Sequence, residues 1–149
     1  VPMGAIAYAF SEEGAGIDGK SFSLLPVEIF YRETGKTKKV TEYPCDGKLL
    51  KAAEQVKTKY HTGRGVIGSG DEWNNQLDRI ALLRERYHTA VEDMESAAAA
   101  QLCLSYGVPF LGVRILSNSI VNGEKFDEAV GIDGQKFMLS LVDQMREYM

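Results

Sequence analysis

Apolar residues fall into runs along the chain, and the lengths and spacings of these runs predict strands and helices in turn. Short apolar runs bounded by glycine or polar residues predict buried strands at 1–9, 65–69 and 109–117. The run 109–117 is nearly continuous, which is typical of a parallel strand covered on both faces. A Thr-Gly-Lys turn at the centre of 30–41 predicts a hairpin, and the polar, glycine-containing stretch 11–20 predicts a long loop.

Other segments place apolar residues at the three- and four-residue spacing of a helix face. They predict helices at 47 to about 60, at 72–87 and at 94–106, and an amphipathic C-terminal helix that follows Asp133. Asp46 is positioned to cap the first of these helices. Gly107 follows the alanine-rich helix, where a left-handed glycine commonly ends a helix. The alanines would let that helix lie close to a sheet.

Helices that alternate with buried strands predict an α/β fold, a three-layer αβα sandwich with a mixed central sheet. We expect residues 1–149 to form a single domain, because the length suits one core and no linker or repeat interrupts the pattern. Residue 1 is not methionine, and the first strand has no lead-in. We therefore expect the chain to begin within its domain and to lack the N-terminal strands.

Composition and charge narrow the class of protein. The formal net charge of -4 argues against nucleic-acid binding, which needs clustered basic side chains. The group of Lys36, Lys38 and Lys39 is interpreted as a solvated turn. Cys45 and Cys103 lie far apart and lack the spacing of zinc ligands, so we predict neither a metal site nor a disulfide, in a reducing, cytoplasmic setting. No apolar stretch is long enough to span a membrane, and no signal-peptide pattern opens the chain.

The residues that could carry chemistry lie where predicted strands give way to loops or helices, at 68–74, 91–96 and 114–118. The carboxyl ends of the strands of an α/β sheet are where a ligand crevice opens. Glu92 and Asp93 suit the start of a helix, which favours negative charge. Glu95 can instead point out of the crevice and accept hydrogen bonds from two neighbouring hydroxyls, such as those of a ribose.

The aromatic and amide residues of these segments allow two interpretations. Trp73, the only tryptophan, either fills the core or stacks on a base or sugar at the mouth of the crevice. Ser117 and Asn118 end a predicted strand, where a side chain that recognises a base is expected. His61 and His88 lie in polar surroundings and are predicted to be exposed, and no Ser-His-Asp order or GxGxxG phosphate loop is present.

Arg114 lies inside an apolar run and is therefore predicted to be buried. A buried guanidinium has to be paired with an anionic group, since an uncompensated buried charge is very costly. One interpretation is an internal salt bridge, with Glu95 or Asp71 as the partner. The other is a functional role, in which the arginine orients a ligand-binding carboxylate or meets a phosphate.

Motifs at these positions occur in a fixed order along the chain. They are Ser-Gly-Asp-Glu-Trp at 69–73, Val-Glu-Asp-Met-Glu-Ser-Ala-Ala at 91–98, Val-Pro-Phe at 108–110 and Val-Arg-Ile-Leu-Ser-Asn at 113–118. Together they resemble the C-terminal half of the nucleoside phosphorylase superfamily, and within it most closely the methylthioadenosine/S-adenosylhomocysteine nucleosidases. The resemblance spans the chain from Gly4 onward. It implies cleavage of the N-glycosidic bond of a purine nucleoside, within purine nucleoside metabolism and methionine salvage.

Position by position, the resemblance implies a nucleoside-binding site. Trp73 takes the place of the aromatic residue that stacks on the base, and Asn74 that of the neighbour whose backbone contacts the base edge. Met94 matches the methionine beneath the ribose, and Glu95 matches the glutamate that binds the ribose 2′- and 3′-hydroxyls. Arg114 matches the arginine of the family's corresponding strand.

Ser117 and Asn118 fall on the family's Ser-Asp pair, whose aspartate helps to protonate purine N7 as the base leaves. An amide can hydrogen-bond to a purine but cannot deliver a proton, and asparagine at this place is associated with phosphorylases that act on 6-oxopurines. Asn118 and Glu95 are the candidate catalytic residues. The choice between hydrolysis and phosphorolysis stays open, as does the base. No cofactor is implied, apart from phosphate as the co-substrate of a phosphorylase.

The family's N-terminal half carries, in the nucleosidases, a glutamate that activates water, and it has no counterpart in these residues. Gly4-Ala5-Ile6 with the acidic-glycine stretch 12–16 resembles the phosphorylase branch. We expect the fragment alone to be inactive, and a non-catalytic nucleoside-binding or storage protein of the same fold is the rival hypothesis. The expected partners are a small-molecule nucleoside and a further copy of the chain in a homodimer or larger homo-oligomer, because a truncated sheet leaves an edge uncovered.

Overall fold

The architecture comes from a computed structural model, which describes residues 4–10 and 22–146. Strands and helices alternate through most of this part of the chain. In chain order they are β1 (Gly4–Phe10), β2 (Phe22–Leu24), β3 (Val27–Tyr31), β4 (Lys36–Val40), β5 (Glu42–Pro44), α1 (Gly47–Gln55), β6 (Val66–Ser69), α2 (Leu77–Tyr87), β7 (Thr89–Asp93), α3 (Ser96–Tyr106) and α4 (Glu128–Arg146).

A mixed sheet, five-stranded within the described residues, organises the fold. Strands β1, β6 and β7 run parallel, with Ala5 opposite Ile67 and Ile67 opposite Val91. Strands β2 and β5 pair with β1 in the antiparallel sense. The mixed sheet and two of the three predicted strands are thereby confirmed. The predicted loop 11–20 lies outside the described residues.

The predicted hairpin is also confirmed. Strands β3 and β4 pair in the antiparallel sense, and Gly35 takes a left-handed conformation with φ 64° in the turn between them. The lysines 36, 38 and 39 are exposed, as expected, although they belong to β4 and not to the turn itself.

Small side chains bring α3 against the sheet. Ala97 and Ala100 are 5% and 1% exposed and form one core cluster with Ala5, Tyr43 and Ile67. The alanine-rich segment thus does what its composition predicts, because only small residues allow the helix backbone to approach so closely. Helix α2 packs against β7, and α1 packs against α4. The result is an α/β fold in which helices flank a mixed sheet.

Several helices begin or end at positions that differ from the predicted bounds. The Asp46 carboxylate accepts hydrogen bonds from the amides of Lys48 and Leu49 at 2.8 and 3.0 Å, which confirms it as the N-cap of α1. That helix ends at Gln55, not near residue 60, because Val56 is already extended. Helix α4 begins at Glu128, ahead of Asp133. None of the described helices combines the length and apolar character needed to cross a bilayer.

The starts of α2 and α3 lie later than predicted for the same kind of reason. The Asn74 side chain accepts a hydrogen bond from the amide of Gln76 at 3.3 Å, and this turn keeps 72–76 out of the helix. The Asp93 carboxylate accepts from the amide of Ser96 at 3.1 Å, so that α3 begins at Ser96 and not at Met94. Side-chain hydrogen bonds to the backbone therefore set both boundaries.

The predicted strand at 109–117 is wrong. This segment has no strand assignment, and its backbone makes isolated contacts with the stretch that follows β5. The Phe110 carbonyl accepts from the amide of Asp46 at 2.7 Å, and the Gly112 amide donates to Cys45 Sγ at 3.5 Å. Ile115 and Leu116 are 42% and 60% exposed, so the segment is not covered on both faces. A continuous apolar run is thus not sufficient to form a strand when no neighbouring strand hydrogen-bonds to it.

Two glycine-to-alanine changes are expected to shift stability in opposite directions. Gly107 ends α3 with φ 67°, a conformation that strains a residue with a β-carbon. A β-carbon there would also lie 2.4 Å from the Glu33 carboxylate. Gly107→Ala should therefore lower the free energy of unfolding by about 1–2 kcal/mol. Gly131 lies within α4 with open space around it, and Gly131→Ala should raise the free energy by about 0.5–1 kcal/mol. Urea denaturation of both variants measures the two shifts, and equal signs would contradict this account of the Gly107 cap.

Candidate functional site

A groove of about 810 Å³ lies along β7. Its walls are the loop between β6 and α2, the α2 residues Ile80 and Arg84, strand β7, and the segment 114–122 that precedes α4. Its volume lies in the range of small-molecule sites. The sequence-predicted residues on its lining are Trp73, Asn74, Met94, Arg114, Ser117 and Asn118. The fold therefore brings together residues that are up to 45 positions apart in sequence.

Glu95 is the predicted site residue that is not part of this lining. It is the first residue before α3 and is exposed, and its Oε2 atom accepts a hydrogen bond from the amide of its neighbour Met94 at 3.3 Å. Met94 itself is 46% exposed on the groove. The carboxylate therefore lies beside the groove, and a rotation of the side chain would be needed to bring it to a ligand.

Trp73 is not a core residue. Its side chain is 68% exposed at the edge of the groove, which removes the interpretation that it fills the interior. On one side of it, Glu72 lies 3.4 Å from a guanidinium nitrogen of Arg79 in α2. On the other side, the Asn74 amide nitrogen donates to the carboxylate oxygens of Glu92 in β7 at 3.2 and 3.4 Å. The indole therefore projects from a loop whose neighbouring residues contact two other elements.

Asp93 ties the end of β7 to the start of α3. Its carboxylate accepts from the hydroxyl of Ser96 at 2.5 Å and from the amides of Glu95 and Ser96 at 3.3 and 3.1 Å. The buried Ser69 hydroxyl accepts from the amide of Ala97 at 3.1 Å, so it too binds the N-terminus of α3. The sequence interpretation of Asp93 as a capping residue is confirmed.

Arg114 forms the internal salt bridge that one of the two sequence interpretations describes, but with a different partner. Its Nε donates to Asp93 Oδ2 at 2.5 Å, whereas the sequence suggests Glu95 or Asp71 as the partner. The expectation of burial was also wrong: 35% of the arginine side chain is exposed, because the segment 109–117 lies outside the sheet, while the Asp93 side chain is only 7% exposed. The pair fastens the segment that bears Asn118 to the start of α3.

The environment of Asp93 keeps it ionised. Burial raises the pKa of this carboxyl, but hydrogen bonds from the side chain and backbone of Ser96 and from Ser69, together with the charge of Arg114, outweigh that effect. The pKa of Asp93 consequently lies below the ordinary value of an aspartate. A carboxylate held in this state can cap a helix and orient a guanidinium, but it is not suited to donate a proton.

Ser117 and Asn118 face the groove from the segment that Arg114 anchors. The Ser117 hydroxyl donates to Asn118 Oδ1 at 3.1 Å, and the Ser117 carbonyl accepts from the amide of Asp127 at 3.3 Å. With its oxygen bound to Ser117, the asparagine keeps its amide NH₂ group as a hydrogen-bond donor. A hydrogen-bond donor suits an acceptor atom on a purine.

The remaining functional expectations concern histidines, cysteines and metal ligands. His61 and His88 are exposed, as predicted, and His88 closes α2 in a left-handed conformation with φ 58° while lining the groove. Cys45 and Cys103 are both free thiols. Among residues 4–10 and 22–146, no group of histidine, cysteine or acidic residues has the arrangement of a metal site.

Sequence reasoning missed some contributors to the groove. Glu92 was interpreted only as a capping residue, yet it binds the side chain of Asn74 across the groove wall. Ser69 was part of a motif but had no role assigned. The stretch 119–122 lines the groove as well, with no preceding signal, because it forms a wall only through the path of the chain before α4.

Comparison with known proteins identifies the family of this chain. The family model of the Phosphorylase superfamily matches residues 5–145, and the chain belongs to that family. Several bacterial proteins named 5′-methylthioadenosine/S-adenosylhomocysteine nucleosidase are similar to it. The protein of Bacillus pumilus is 34% identical over 79% of this chain and 55% of its own length. The proteins of Aeromonas salmonicida and Geobacillus kaustophilus are 32% and 30% identical, over 79% and 70% of this chain and 54% and 48% of their own lengths. The chain thus spans about half the length of the curated relatives it matches.

Proposed function

We propose that this protein cleaves the N-glycosidic bond of a purine nucleoside by hydrolysis, as the names of its nucleosidase relatives describe for those proteins. The observation that carries the proposal is the groove itself. It gathers Trp73, Met94 and the Ser117-Asn118 pair, which come from separate parts of the sequence, around one space whose volume lies in the range of small-molecule sites. Family membership supports the same reaction class.

The proposed roles follow from the chemistry of each group. The exposed indole of Trp73 stacks on the base, Met94 contacts the ribose, and the Asn118 amide donates to the departing purine. Bond cleavage gives C1′ oxocarbenium character while negative charge develops on the base. Groups that fix the ribose and meet that charge in the transition state therefore supply most of the rate enhancement.

Glu95 is proposed to bind the ribose hydroxyls. It is the exposed carboxylate next to Met94, and a carboxylate accepts hydrogen bonds from two neighbouring hydroxyls. Occupying that role requires the side chain to leave the amide of Met94, to which it is bound at 3.3 Å. The exchange costs little, because that hydrogen bond is exposed and long. Arg114 is proposed to act on the groove wall through its pairing with Asp93.

Phosphorolysis is the second candidate, and Asn118 is the observation that favours it. An asparagine cannot donate a proton to the leaving base, whereas its amide can hydrogen-bond to a 6-oxopurine. In this version phosphate is the co-substrate that captures C1′, and neither version uses a cofactor. We propose a cytoplasmic, single-domain protein. Self-association is proposed because Ile132, Leu139 and Val142 of α4 are 59%, 68% and 46% exposed.

The test is purine release by the native protein, expressed from its complete coding sequence and checked by intact mass. The substrates are methylthioadenosine and inosine, each with and without phosphate. Adenine release without phosphate is the expected result, and phosphate dependence would move the protein to phosphorolysis. The Glu95→Gln variant should lose activity on the preferred nucleoside. Binding of nucleoside without release of any base would instead establish a non-catalytic binding or storage protein.

A further inference from the structure

We propose that Glu92 is a positioning residue that, through Asn74, holds the Trp73 loop (residues 70–76) in place as a stacking platform. The proposal rests on the proposed function only where it assigns the platform a purine ligand. The platform is inferred from hydrogen bonds that do not involve a ligand, and its mobility is measured without one.

The first step is that the Trp73 loop is attached to β7 at two places. At its start, the Gly70 amide donates to the carbonyl of Asp93 at 3.1 Å. At its middle, the Asn74 amide nitrogen donates to both carboxylate oxygens of Glu92 at 3.2 and 3.4 Å. Glu92 lies in β7, beside the buried β6. Hydrogen bonds therefore attach the loop to a strand of the mixed sheet.

The second step is that the Asn74 side chain is used at both ends. While its nitrogen binds Glu92, its Oδ1 accepts the amide of Gln76 at 3.3 Å, at the entry to α2. One amide group thus links β7 to the loop and to the helix that follows it. The side chain so engaged is not offered to a base edge, which fits a ligand contact by the Asn74 backbone.

The third step concerns Trp73. An indole that is 68% exposed has few protein neighbours to fix it, so the position of its backbone decides where the ring can lie. The two residues beside it are both held: Asn74 by Glu92, and Glu72 by Arg79 of α2 at 3.4 Å. A ring whose backbone is fixed in advance loses less freedom when it stacks on a ligand. Glu92 thus contributes to ligand affinity through the loop that it holds.

The experiment is time-resolved fluorescence anisotropy of Trp73 in the native protein without ligand, with Trp73→Phe used to identify its signal. In the native protein we expect the Trp73 signal to decay by fast motion of the exposed ring and by overall tumbling, without a slower component from the loop. Glu92→Ala should add a nanosecond component. Glu92→Gln should restore the native decay, because its amide oxygen still accepts from Asn74. Glu85→Ala, an exposed change on α2, is the matched control and should leave the decay unaltered.

The kinetic counterpart separates positioning from general damage. Losing the platform should raise KM about fivefold to tenfold while kcat changes less than about twofold, because stacking binds substrate and transition state alike. Asn74→Asp offers a second approach: it keeps the acceptor for Gln76, removes the donor for Glu92 and places two carboxylates together. It should reproduce both effects of Glu92→Ala, and it provides the test should Glu92→Ala fail to fold.

We call the hydrogen bonding of Asn74 to Glu92, which holds the Trp73 loop, the tether. If the anisotropy decay is unchanged in folded Glu92→Ala and Asn74→Asp, the tether is overturned, even when the native protein releases purine. A looser Trp73 with an unaltered KM shows that the tether exists but overturns its role in ligand binding. A looser Trp73 in a protein that releases no purine supports the tether while the proposed reaction fails. The two proposals therefore fail in distinguishable ways.

Discussion

Replacing Asp93 by alanine is expected to lower the free energy of unfolding by about 2–4 kcal/mol. The change removes the cap of α3, the acceptor of the Ser96 hydroxyl and the partner of Arg114. The ion pair contributes only part of this cost, since Arg114 is about one-third exposed and water screens it. Urea denaturation with an unchanged slope, compared with the native protein at neutral pH, measures the loss.

Asp93→Asn is the matched variant. Asparagine caps helices about as well as aspartate, so this change keeps the acceptor for the Ser96 amide and removes the charge that faces Arg114. We expect its decrease in the free energy of unfolding to be about half of that of Asp93→Ala, because the cap is kept and only the ion pair is lost. An asparagine variant as unstable as the alanine variant would contradict the capping account and leave the charge as the dominant contribution.

The contribution of Asp93 should also depend on pH. Its pKa is lower in the folded protein than in the unfolded chain, because hydrogen bonds and Arg114 outweigh the effect of burial. The unfolded chain therefore binds this proton more readily, and the stabilisation is complete above the unfolded pKa of about 3.9. It is lost as the pH falls from there through the folded pKa. The stability difference between the native protein and Asp93→Asn should shrink below about pH 4, and a difference independent of pH would refute the assignment.

Features with a local cause could be predicted from the sequence. The hairpin around Gly35 needs one residue with positive φ, and the cap at Asp46 needs one short acceptor before a helix. The alanine-rich helix α3 lies on the sheet because Ala97 and Ala100 have no bulk to hold it away. In each of these cases the residues that decide the structure are within a few positions of one another.

The failed strand at 109–117 shows where that reasoning stops. A strand exists only when a neighbour hydrogen-bonds to it, and the apolar run carries no information about that neighbour. In the structure the Phe110 carbonyl and the Gly112 amide bind Asp46 and Cys45, both more than 60 positions away. The prediction that Arg114 is buried fails for the same reason, because the exposure of its side chain depends on where the segment 109–117 lies.

The candidate site shows the same division between local and long-range effects. Most of its residues were found because they lie in or at the ends of predicted strands, and Asn74 and Met94 were found through the resemblance to the family. All but Glu95 line one groove. Which of them pair was not predictable: Arg114 binds Asp93 across 21 positions, and Asn74 binds Glu92 across 18. Acidic residues are adjacent at 92–93, so spacing alone cannot choose between them. Successive side chains of a strand point to opposite faces, and this alternation in β7 gives each carboxylate a different partner.

Asn118→Asp is expected to increase adenine release from methylthioadenosine about tenfold or more, since a positioned general acid typically contributes about 10²–10⁴-fold. The native amide can donate a hydrogen bond to the departing purine but cannot transfer a proton to it. In the proposed complex, an aspartic acid at the same place would supply that proton. The same change should reduce hypoxanthine release from inosine, because the asparagine amide that suits a 6-oxopurine is lost.

The pH profile distinguishes proton donation from a simple change in binding. A general acid has to be protonated, so the added activity of Asn118→Asp should decline as the pH rises, whereas the native protein has no such step at this residue. The Ser117 hydroxyl donates to the oxygen of residue 118 at 3.1 Å, and the same bond to an aspartate would favour its ionised form. Adding Ser117→Ala should therefore extend the gained activity to higher pH. An Asn118→Asp variant whose gain is equal at all pH values would show that residue 118 acts by binding the base and not by protonating it.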